Sequence, residues 1–219
     1  MIQPKDLDFT GRRVLVTGAA SGIGRAMAHA FKAHGGTLIL ADRNTEGRAE
    51  VARELGGDVA RHVYDQGDIA SVQKLAEAAG LVDVLCNNAG ISGGWKLVDT
   101  TPEQIQEVIT VNLIGPIVLA RAVALPMLAR GRGVIVNTSS QLAFNGAEER
   151  GAYSAAKAGI AQFTRTAGIE WGRLGVRVVA IGPGRTITPM TMRSSSLGAP
   201  VMYEKGLARI PVRRYGKPE

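Results

Sequence analysis

The chain has 219 residues, of which 45% are hydrophobic and 21% are charged, and it carries a formal net charge of +7. This length and composition fit one domain of an ordinary soluble globular protein, and no repeat or low-complexity segment interrupts it. The Lys and Arg residues are scattered, without a basic run or interleaved aromatic residues, so we expect no nucleic-acid partner.

Three features bear on the compartment in which the chain would work. Residues 1–10 contain no apolar core, so we expect no signal peptide. The longest apolar region, 114–129, is interrupted by two prolines and an arginine, so we expect no membrane span. Cys86 is the single cysteine and cannot form an internal disulfide, which agrees with a reducing, cytoplasmic location.

Apolar runs and helical patterns alternate along the whole chain. The predicted strands are 14–16, 37–41, 59–64, 82–86, 134–136 and 176–181. The predicted helices between them include 25–34, 45–55, 68–79 and 150–173, and another begins at Thr101, where a hydroxyl cap is followed by Pro and Gln. Six strands separated by helices predict a single α/β domain with a doubly wound parallel sheet, a Rossmann fold of three α/β/α layers.

A glycine-rich turn, Thr17-Gly-Ala-Ala-Ser-Gly-Ile-Gly24, joins the first predicted strand to the first helix. Glycines at such a turn allow a tight reversal and leave N–H groups free at a helix start, which is typical of pyrophosphate binding. Asp42 ends the second strand, where a carboxylate can accept both ribose hydroxyls of an adenosine. The turn therefore predicts a dinucleotide site, with a purely structural glycine turn as the alternative.

Tyr153 and Lys157 are four residues apart in the predicted helix 150–173 and therefore share one face. A nearby ammonium favours the phenolate, although a tyrosine of pKa ~10 needs about 4 kcal/mol of stabilisation to titrate near neutrality. A cationic nicotinamide could add to that stabilisation. Ser140 follows the fifth strand, at the same edge of the sheet, and could donate a hydrogen bond to a carbonyl oxygen. Chance spacing on a solvated helix face is the alternative.

Asn112 continues an apolar helical stripe, so its amide is expected to be buried and in need of partners. Pro116, four residues later, has no N–H, which would leave the Asn112 carbonyl free to bind a water. The pattern predicts either a kinked helix with a satisfied buried asparagine or a water chain that leads to Lys157.

Taken together, these motifs resemble the short-chain dehydrogenase/reductase family in its shorter, single-domain form. The resemblance runs from about residue 10 to the end of the chain. Its one departure is Gly182, where the family often has Asn before Pro-Gly. The residues that carry it are the glycine turn, Asn87-Asn-Ala-Gly90, Asn112, Ser140, Tyr153-Ser-Ala-Ala-Lys157, and Pro183-Gly184 with Thr188.

The resemblance implies NAD(P)-dependent hydride transfer between a secondary alcohol and its ketone. Tyr153 would be the acid/base, and Lys157 would lower its pKa and contact the ribose. Ser140 would orient the substrate oxygen, with Asn112 in a proton relay. The implied cofactor contacts, besides Tyr153 and Lys157, are Gly18, Ser21, Gly22, Ile23, Gly24, Asp42, Arg43, Asp65, Gln66, Asn88, Ala89, Gly90, Pro183, Gly184, Thr186 and Thr188.

NAD is the expected cofactor and NADP the less favoured one, because the Asp42 carboxylate would repel a 2′-phosphate. Arg43 complicates this prediction, since a guanidinium could hold a phosphate. Three functions stay open: an NAD-dependent alcohol dehydrogenase, an NAD(P)H-dependent ketone or 3-oxoacyl reductase, and a non-catalytic NAD-binding sensor or scaffold. We expect no metal, because the three histidines lack ligand spacing.

The substrate is a small alcohol or carbonyl compound that the sequence does not specify further. Candidate pocket residues are Ser92–Trp95, Gln141, Leu142, Phe144, Arg150, Met190, Met192 and Tyr203. Arg150 or Arg193 could attract a carboxylate, although the simpler interpretation of each is a surface charge.

Two expectations concern assembly and the end of the chain. The resemblance implies a homotetramer or homodimer that packs the helices beginning near residues 101 and 150. It also identifies residues 213–219 with a family segment that leads into one further helix and a last strand. We therefore expect the complete protein to add a strand beside the sixth, and residues 185–210 to lack a wall to fold against without it.

Overall fold

The computed structural model describes residues 7–193, 204 and 206–219. Strands and helices alternate along them, as the sequence predicts. The strands are β1 (Arg13–Thr17), β2 (Thr37–Asp42), β3 (Ala60–Val63), β4 (Val84–Asn87), β5 (Gly133–Thr138) and β6 (Val176–Ile181). The helices are α1 (Gly22–Ala33), α2 (Thr45–Leu55), α3 (Ile69–Ala79), α4 (Pro102–Ile109), α5 (Gly115–Ala129), α6 (Gly151–Gly172) and the short α7 (Pro189–Arg193).

The six strands form one parallel sheet in the order β3-β2-β1-β4-β5-β6. Leu15 of β1 lies between Ile39 of β2 and Leu85 of β4, so β1 and β4 are the central pair. From β1 the chain adds β2 and β3 on one side of the sheet, and from β4 it adds β5 and β6 on the other side. This reversal leaves a crevice at the carboxyl ends of the two central strands, where doubly wound folds bind their ligands.

Two hydrophobic clusters cover the two faces of the sheet. Because strand side chains alternate, Leu15 points into one cluster, while Val14 and Val16 point into the other. Helices α3, α5 and α6 pack on the first face, and α1 and α2 pack on the second. The predicted three-layer Rossmann architecture is therefore confirmed.

Helix α1 begins at Gly22, three residues before the predicted start at residue 25, so its N-terminus lies directly at the glycine turn. The predicted cap of α4 is present as a reciprocal pair. The Gln104 N–H donates to Thr101 Oγ1 over 3.3 Å, and the Thr101 N–H donates to Gln104 Oε1 over 3.0 Å. Local sequence thus determines where α4 begins.

Helices α4 and α5 are joined by a π-helical turn, Thr110–Ile114, into one continuous helix, Pro102–Ala129. By length and composition alone this helix is apolar enough to cross a membrane. In the fold, its buried side chains Leu119, Val123 and Met127 pack in the cluster on the sheet.

Strand β6 is an edge strand, and among the described residues no strand pairs with its outer side. Val179 on this strand is 46% exposed. The expectation that residues after Arg185 lack a wall is wrong for the start of that segment. Thr186 forms a parallel bridge with Gly216, because the chain returns past it. The Ile187 N–H donates to Gly216 O and the Gly216 N–H to Arg185 O, each over 2.9 Å.

Candidate active site

A cleft of about 960 Å³ opens at the carboxyl ends of the strands. It brings together all but one of the residues for which the sequence predicted a catalytic or cofactor role. Gly24 is the exception, because it packs against the Gly18 carbonyl on the inner side of the turn. The predicted residues that line the cleft are Gly18, Ser21, Gly22, Ile23, Asp42, Arg43, Asp65, Gln66, Asn88, Ala89, Gly90, Asn112, Ser140, Tyr153, Lys157, Pro183, Gly184, Thr186 and Thr188.

The three glycine positions of the glycine turn do not readily accept a side chain. Gly18 has φ +67° and Gly22 has φ +53°, a region that favours glycine. A Cβ on Gly24 would fall onto the Gly18 carbonyl oxygen. Ser21, the N-cap of α1, makes no side-chain capping bond, and the first turn of the helix carries no acidic residue. The turn therefore fits a pyrophosphate, which would bind the uncapped N–H groups.

Asp42 has a structural role that the sequence did not predict. Its Oδ2 accepts a hydrogen bond from the Ala20 N–H over 3.0 Å, and its Oδ1 accepts one from the Asn44 N–H over 2.8 Å. The carboxylate thus ties the glycine turn to the end of β2. Each carboxylate oxygen can accept more than one hydrogen bond, so a ribose contact remains compatible. Arg43 is exposed at the mouth of the cleft.

Asp65 and Gln66 follow β3 and differ in which of their groups remain available to a cofactor. The side-chain amide of Gln66 donates to the carbonyls of Ala89 and Val111, and its Oε1 accepts from the Tyr64 hydroxyl. It therefore holds three parts of the cleft wall together. The family resemblance implies that this pair contacts the adenine, and such a contact would come from the Gln66 backbone or from Asp65.

The loop after β4 is held by a residue that sequence reasoning missed. Thr17 Oγ1, at the end of β1, accepts from the N–H groups of Asn88 and Ala89 over 2.9 and 3.0 Å. Asn88 returns a bond from Nδ2 to Thr17 O over 3.1 Å, and Thr138 donates to its Oδ1 over 3.3 Å. The sequence pattern that could have predicted these contacts is the position of the polar side chains at the ends of neighbouring parallel strands.

Ser140 and Tyr153 form the reacting end of the cleft. Ser140 Oγ accepts the Leu142 N–H over 3.1 Å, which leaves its own proton to donate. Burial raises the pKa of Tyr153, while a hydrogen bond with Ser140 and the positive charge of Arg150 act in the opposite direction. We expected a phenol shifted toward neutrality, and in the protein alone burial outweighs the groups that would shift it.

Lys157 is only 5% exposed, and its ammonium donates to Thr138 O over 2.8 Å. Its Nζ lies 5.6 Å from the centre of the Tyr153 ring. Burial lowers the pKa of Lys157 to about 8. The pair thus shares one helix face, as predicted, and the alternative of a solvated face does not hold for this lysine.

Asn112 is 1% exposed and has the partners that its predicted burial required. Its Nδ2 donates to the carbonyls of Ile91 and Val108, each over 3.0 Å, and its Oδ1 accepts the Ile91 N–H over 3.2 Å. A Cβ on Gly90 would lie 2.7 Å from Asn112 Oδ1 and 3.7 Å from Lys157 Nζ. Both side chains therefore approach the same glycine, and the water relay between them stays a prediction.

Five of the predicted pocket residues line the cleft: Ser92, Gly94, Trp95, Arg150 and Met190. Five others do not line it: Gly93, Gln141, Leu142, Phe144 and Met192. Tyr203 and the side chain of Arg193 lie outside the described residues.

Comparison with known proteins agrees with this geometry. The model of the short chain dehydrogenase family matches residues 12–197. The chain is 37% identical over 194 residues to D-threitol dehydrogenase from Mycolicibacterium smegmatis. The match covers 84% of this chain and 75% of that protein. It is 36% identical over 216 residues to a 3-oxoacyl-[acyl-carrier-protein] reductase from Thermotoga maritima, with 95% and 86% covered.

A solved structure is similar over the whole fold. It is a candidate NAD(P)-dependent gluconate 5-dehydrogenase from Beutenbergia cavernae with NADP bound at low occupancy. The TM-score is 0.92 at 37% sequence identity, with 97% of this chain and 87% of that chain covered. The fold and the cleft are those of a nicotinamide-dependent oxidoreductase. The chain belongs to the short-chain dehydrogenase/reductase family.

Proposed function

We propose that this protein is an NAD-dependent oxidoreductase that transfers a hydride between a secondary alcohol, or the corresponding ketone, and nicotinamide. The observation that carries the proposal is the convergence of Ser140, Tyr153 and Lys157 at one end of a cleft whose other end holds the glycine turn and Asp42. One end fits the chemistry of proton transfer, and the other fits a dinucleotide.

The residues at the reacting end have separable roles. When bound, the nicotinamide accepts a hydride in alcohol oxidation and gives one in ketone reduction. In oxidation, the Tyr153 phenolate oxygen takes the proton of the substrate hydroxyl, and in reduction the phenol returns it. Ser140 donates its hydroxyl proton to the substrate oxygen, while its own oxygen accepts the Leu142 N–H. Lys157 supplies a positive charge that favours the phenolate.

Cofactor binding would use the opposite end of the cleft. The uncapped N-terminus of α1 would hold the pyrophosphate, and Asp42 the adenosine ribose. A 2′-phosphate beside Asp42 would meet a carboxylate, which supports NAD. Arg43 at the mouth of the cleft keeps NADP as the second candidate.

A reductase is the alternative direction of the same chemistry, and the similarity to a 3-oxoacyl-[acyl-carrier-protein] reductase favours it. A non-catalytic NAD-binding sensor is the rival from another class. The retained Ser140, Tyr153 and Lys157, all facing one cleft, speak against that rival.

Assembly and location complete the proposal. Apolar side chains are exposed on the continuous helix and on α6, among them Ile105, Leu125 and Ile169. They support a homodimer or homotetramer, which light scattering would measure. A cytoplasmic location is consistent with the unpaired, buried Cys86.

The test is a screen in both directions, with secondary alcohols plus NAD or NADP and with ketones plus the reduced cofactors. Turnover is followed by the absorbance of the reduced cofactor. We expect NAD-dependent oxidation of at least one alcohol, and turnover with NADP alone would contradict the cofactor assignment.

A further inference from the structure

Arg150 is a half-buried cation on the wall of the cleft, at the N-cap of α6 and one turn before Tyr153. Its Nη1 donates to Gly93 O over 2.8 Å and to Glu149 O over 3.1 Å. The guanidinium therefore joins two loops that border the substrate end of the cleft, and it is not a freely solvated surface charge.

The backbone on both sides is shaped around this guanidinium. Glu149, the preceding residue, has φ +59°, an uncommon left-handed conformation for a residue with a side chain. On the facing loop, a Cβ on Gly94 would lie 2.6 Å from Arg150 Nη1. The absence of a side chain at Gly94 thus provides the space that the guanidinium occupies.

Arg150 has no anionic partner within the part of the chain that the structure describes. The ion pairs found there within 4.0 Å are Arg25–Glu54, His29–Glu54 and Arg130–Asp83. Both backbone acceptors are bound by Nη1, and no hydrogen bond of Nε or Nη2 to a described residue is found. The carboxylates that line the cleft, Asp42 and Asp65, belong to its adenosine end.

We propose that Arg150 is a specificity-determining residue that binds a carboxylate of the substrate, so that the substrates are hydroxy acids and the corresponding keto acids. This inference rests on the function proposed above. The planar fork of a guanidinium matches the two oxygens of a carboxylate. Residues three apart on a helix have Cβ atoms about 5–6 Å apart, so the carboxylate would lie a few bonds from the carbon that reacts at Tyr153.

The test compares each acid with the alcohol in which a hydroxymethyl group replaces the carboxylate. The pairs are lactate and propane-1,2-diol, 3-hydroxybutyrate and butane-1,3-diol, and gluconate and sorbitol. The readout is the ratio of kcat/KM for acid to that for neutral partner. The Arg150 charge also acts on Tyr153, so its loss is expected to slow the oxidation of both members of a pair. The ratio removes that common effect.

Wild type is expected to prefer the acid in at least one pair. Arg150→Met should reduce that ratio by about 10- to 100-fold, the usual range for a hydrogen bond to a charged group. Gly94→Ala keeps the charge but displaces the guanidinium, so it should reduce the same ratio. Arg165→Met is the matched control, because Arg165 lies on α6 beside Phe144, outside the cleft.

A binding measurement separates failure of this inference from failure of the proposed function. Trp95 lines the cleft, whereas Trp171, the other tryptophan, packs against Phe163. Quenching of tryptophan fluorescence by the same acids, and its loss in Arg150→Met, would support the carboxylate site even if no substrate turns over. Equal ratios in wild type and Arg150→Met, or equal quenching by acids and neutral partners, would overturn it and leave Arg150 as a loop anchor.

Discussion

The ammonium of Lys157 lies 5.6 Å from the centre of the Tyr153 ring, one helical turn away, and its hydrogen bond to Thr138 O fixes its position. Burial raises the pKa of the phenol and lowers that of the ammonium, so the protein alone disfavours the charged form of both. The two charges stabilise each other only when both groups are ionised. A charged Lys157 would therefore favour the phenolate of Tyr153, the form that accepts a proton from an alcohol, against the opposing effect of burial.

Tyr153→Phe tests this role directly. The change removes the phenol oxygen and keeps the ring, so we expect alcohol oxidation to fall by about 10²- to 10⁴-fold with nearly unchanged NAD affinity. Ser154→Ala is the matched control, because it also removes one hydroxyl, and the buried Ser154 Oγ has no hydrogen-bond partner among the described residues. Retention of more than about a tenth of wild-type kcat by Tyr153→Phe would exclude Tyr153 as the acid/base.

Lys157 should make the free energy of unfolding depend on pH. Its pKa is about 8 in the folded protein and ~10.4 when unfolded, so the unfolded chain binds more protons between these values. The free energy of unfolding should therefore rise with pH through this window, as a penalty of roughly 3 kcal/mol at neutral pH is relieved.

Chemical denaturation of wild type and Lys157→Met at about pH 7.5 and about pH 9.5 measures this effect. We expect wild type to gain stability relative to the variant at the higher pH. A constant difference between the two proteins would show that the lysine titrates normally.

Asp42 should set the cofactor preference. Asp42→Asn removes the charge but retains one of the two acceptors for the Ala20 and Asn44 N–H groups, whereas an alanine would release both. We expect the kcat/KM ratio of NADP to NAD to rise by about tenfold or more, equivalent to about 1.4 kcal/mol. Asp58→Asn removes the same charge outside the cleft and should leave the ratio unchanged. The idea fails if the wild type already prefers NADP.

Gly24 should be essential for the cofactor site although it does not line the cleft. A Cβ there would meet the Gly18 carbonyl oxygen, so Gly24→Ala should lose NAD binding and about 1–3 kcal/mol of stability. Gly172→Ala is the control, since a Cβ on Gly172, in the last turn of α6, would have no atom of the described part of the chain within 4 Å. Titration calorimetry and thermal unfolding measure both effects, and NAD affinity unchanged in Gly24→Ala would contradict the packing argument.

The sequence predicted the features of the fold and the site that depend on local residue patterns and on where strands end. Short apolar runs such as Val14-Leu15-Val16 identified the strands, and the Thr101 cap identified a helix start. Because parallel strands end at one edge, Asp42, Ser140 and the glycine turn had to share it. The alternation of strands and helices along the chain thus predicts the sheet, and the polar residues at the strand ends predict the location of the cleft.

Contacts between distant residues could not be predicted in the same way. The bonds from the Ala20 N–H to Asp42, from Lys157 to Thr138 and from Arg150 to Gly93 each join separate elements or loops. Nothing in the spacing of these residues indicates which oxygen each donor would find. These contacts also decide whether a charge is solvated or held in the cleft. For Lys157 they rule out the alternative of a solvated helix face, and for Arg150 they correct the interpretation as a surface charge.

The central claim is that the protein catalyses hydride transfer and does not merely bind NAD. The most direct measurement follows NADH absorbance and NAD affinity in the same preparation, for wild type and Tyr153→Phe, across the secondary alcohols and hydroxy acids named above. We predict that both proteins bind NAD with similar affinity and that only wild type produces NADH. Binding of NAD by wild type without NADH formation from any of these substrates, and without the reverse reaction from the corresponding ketones, would contradict the claim and favour a sensor.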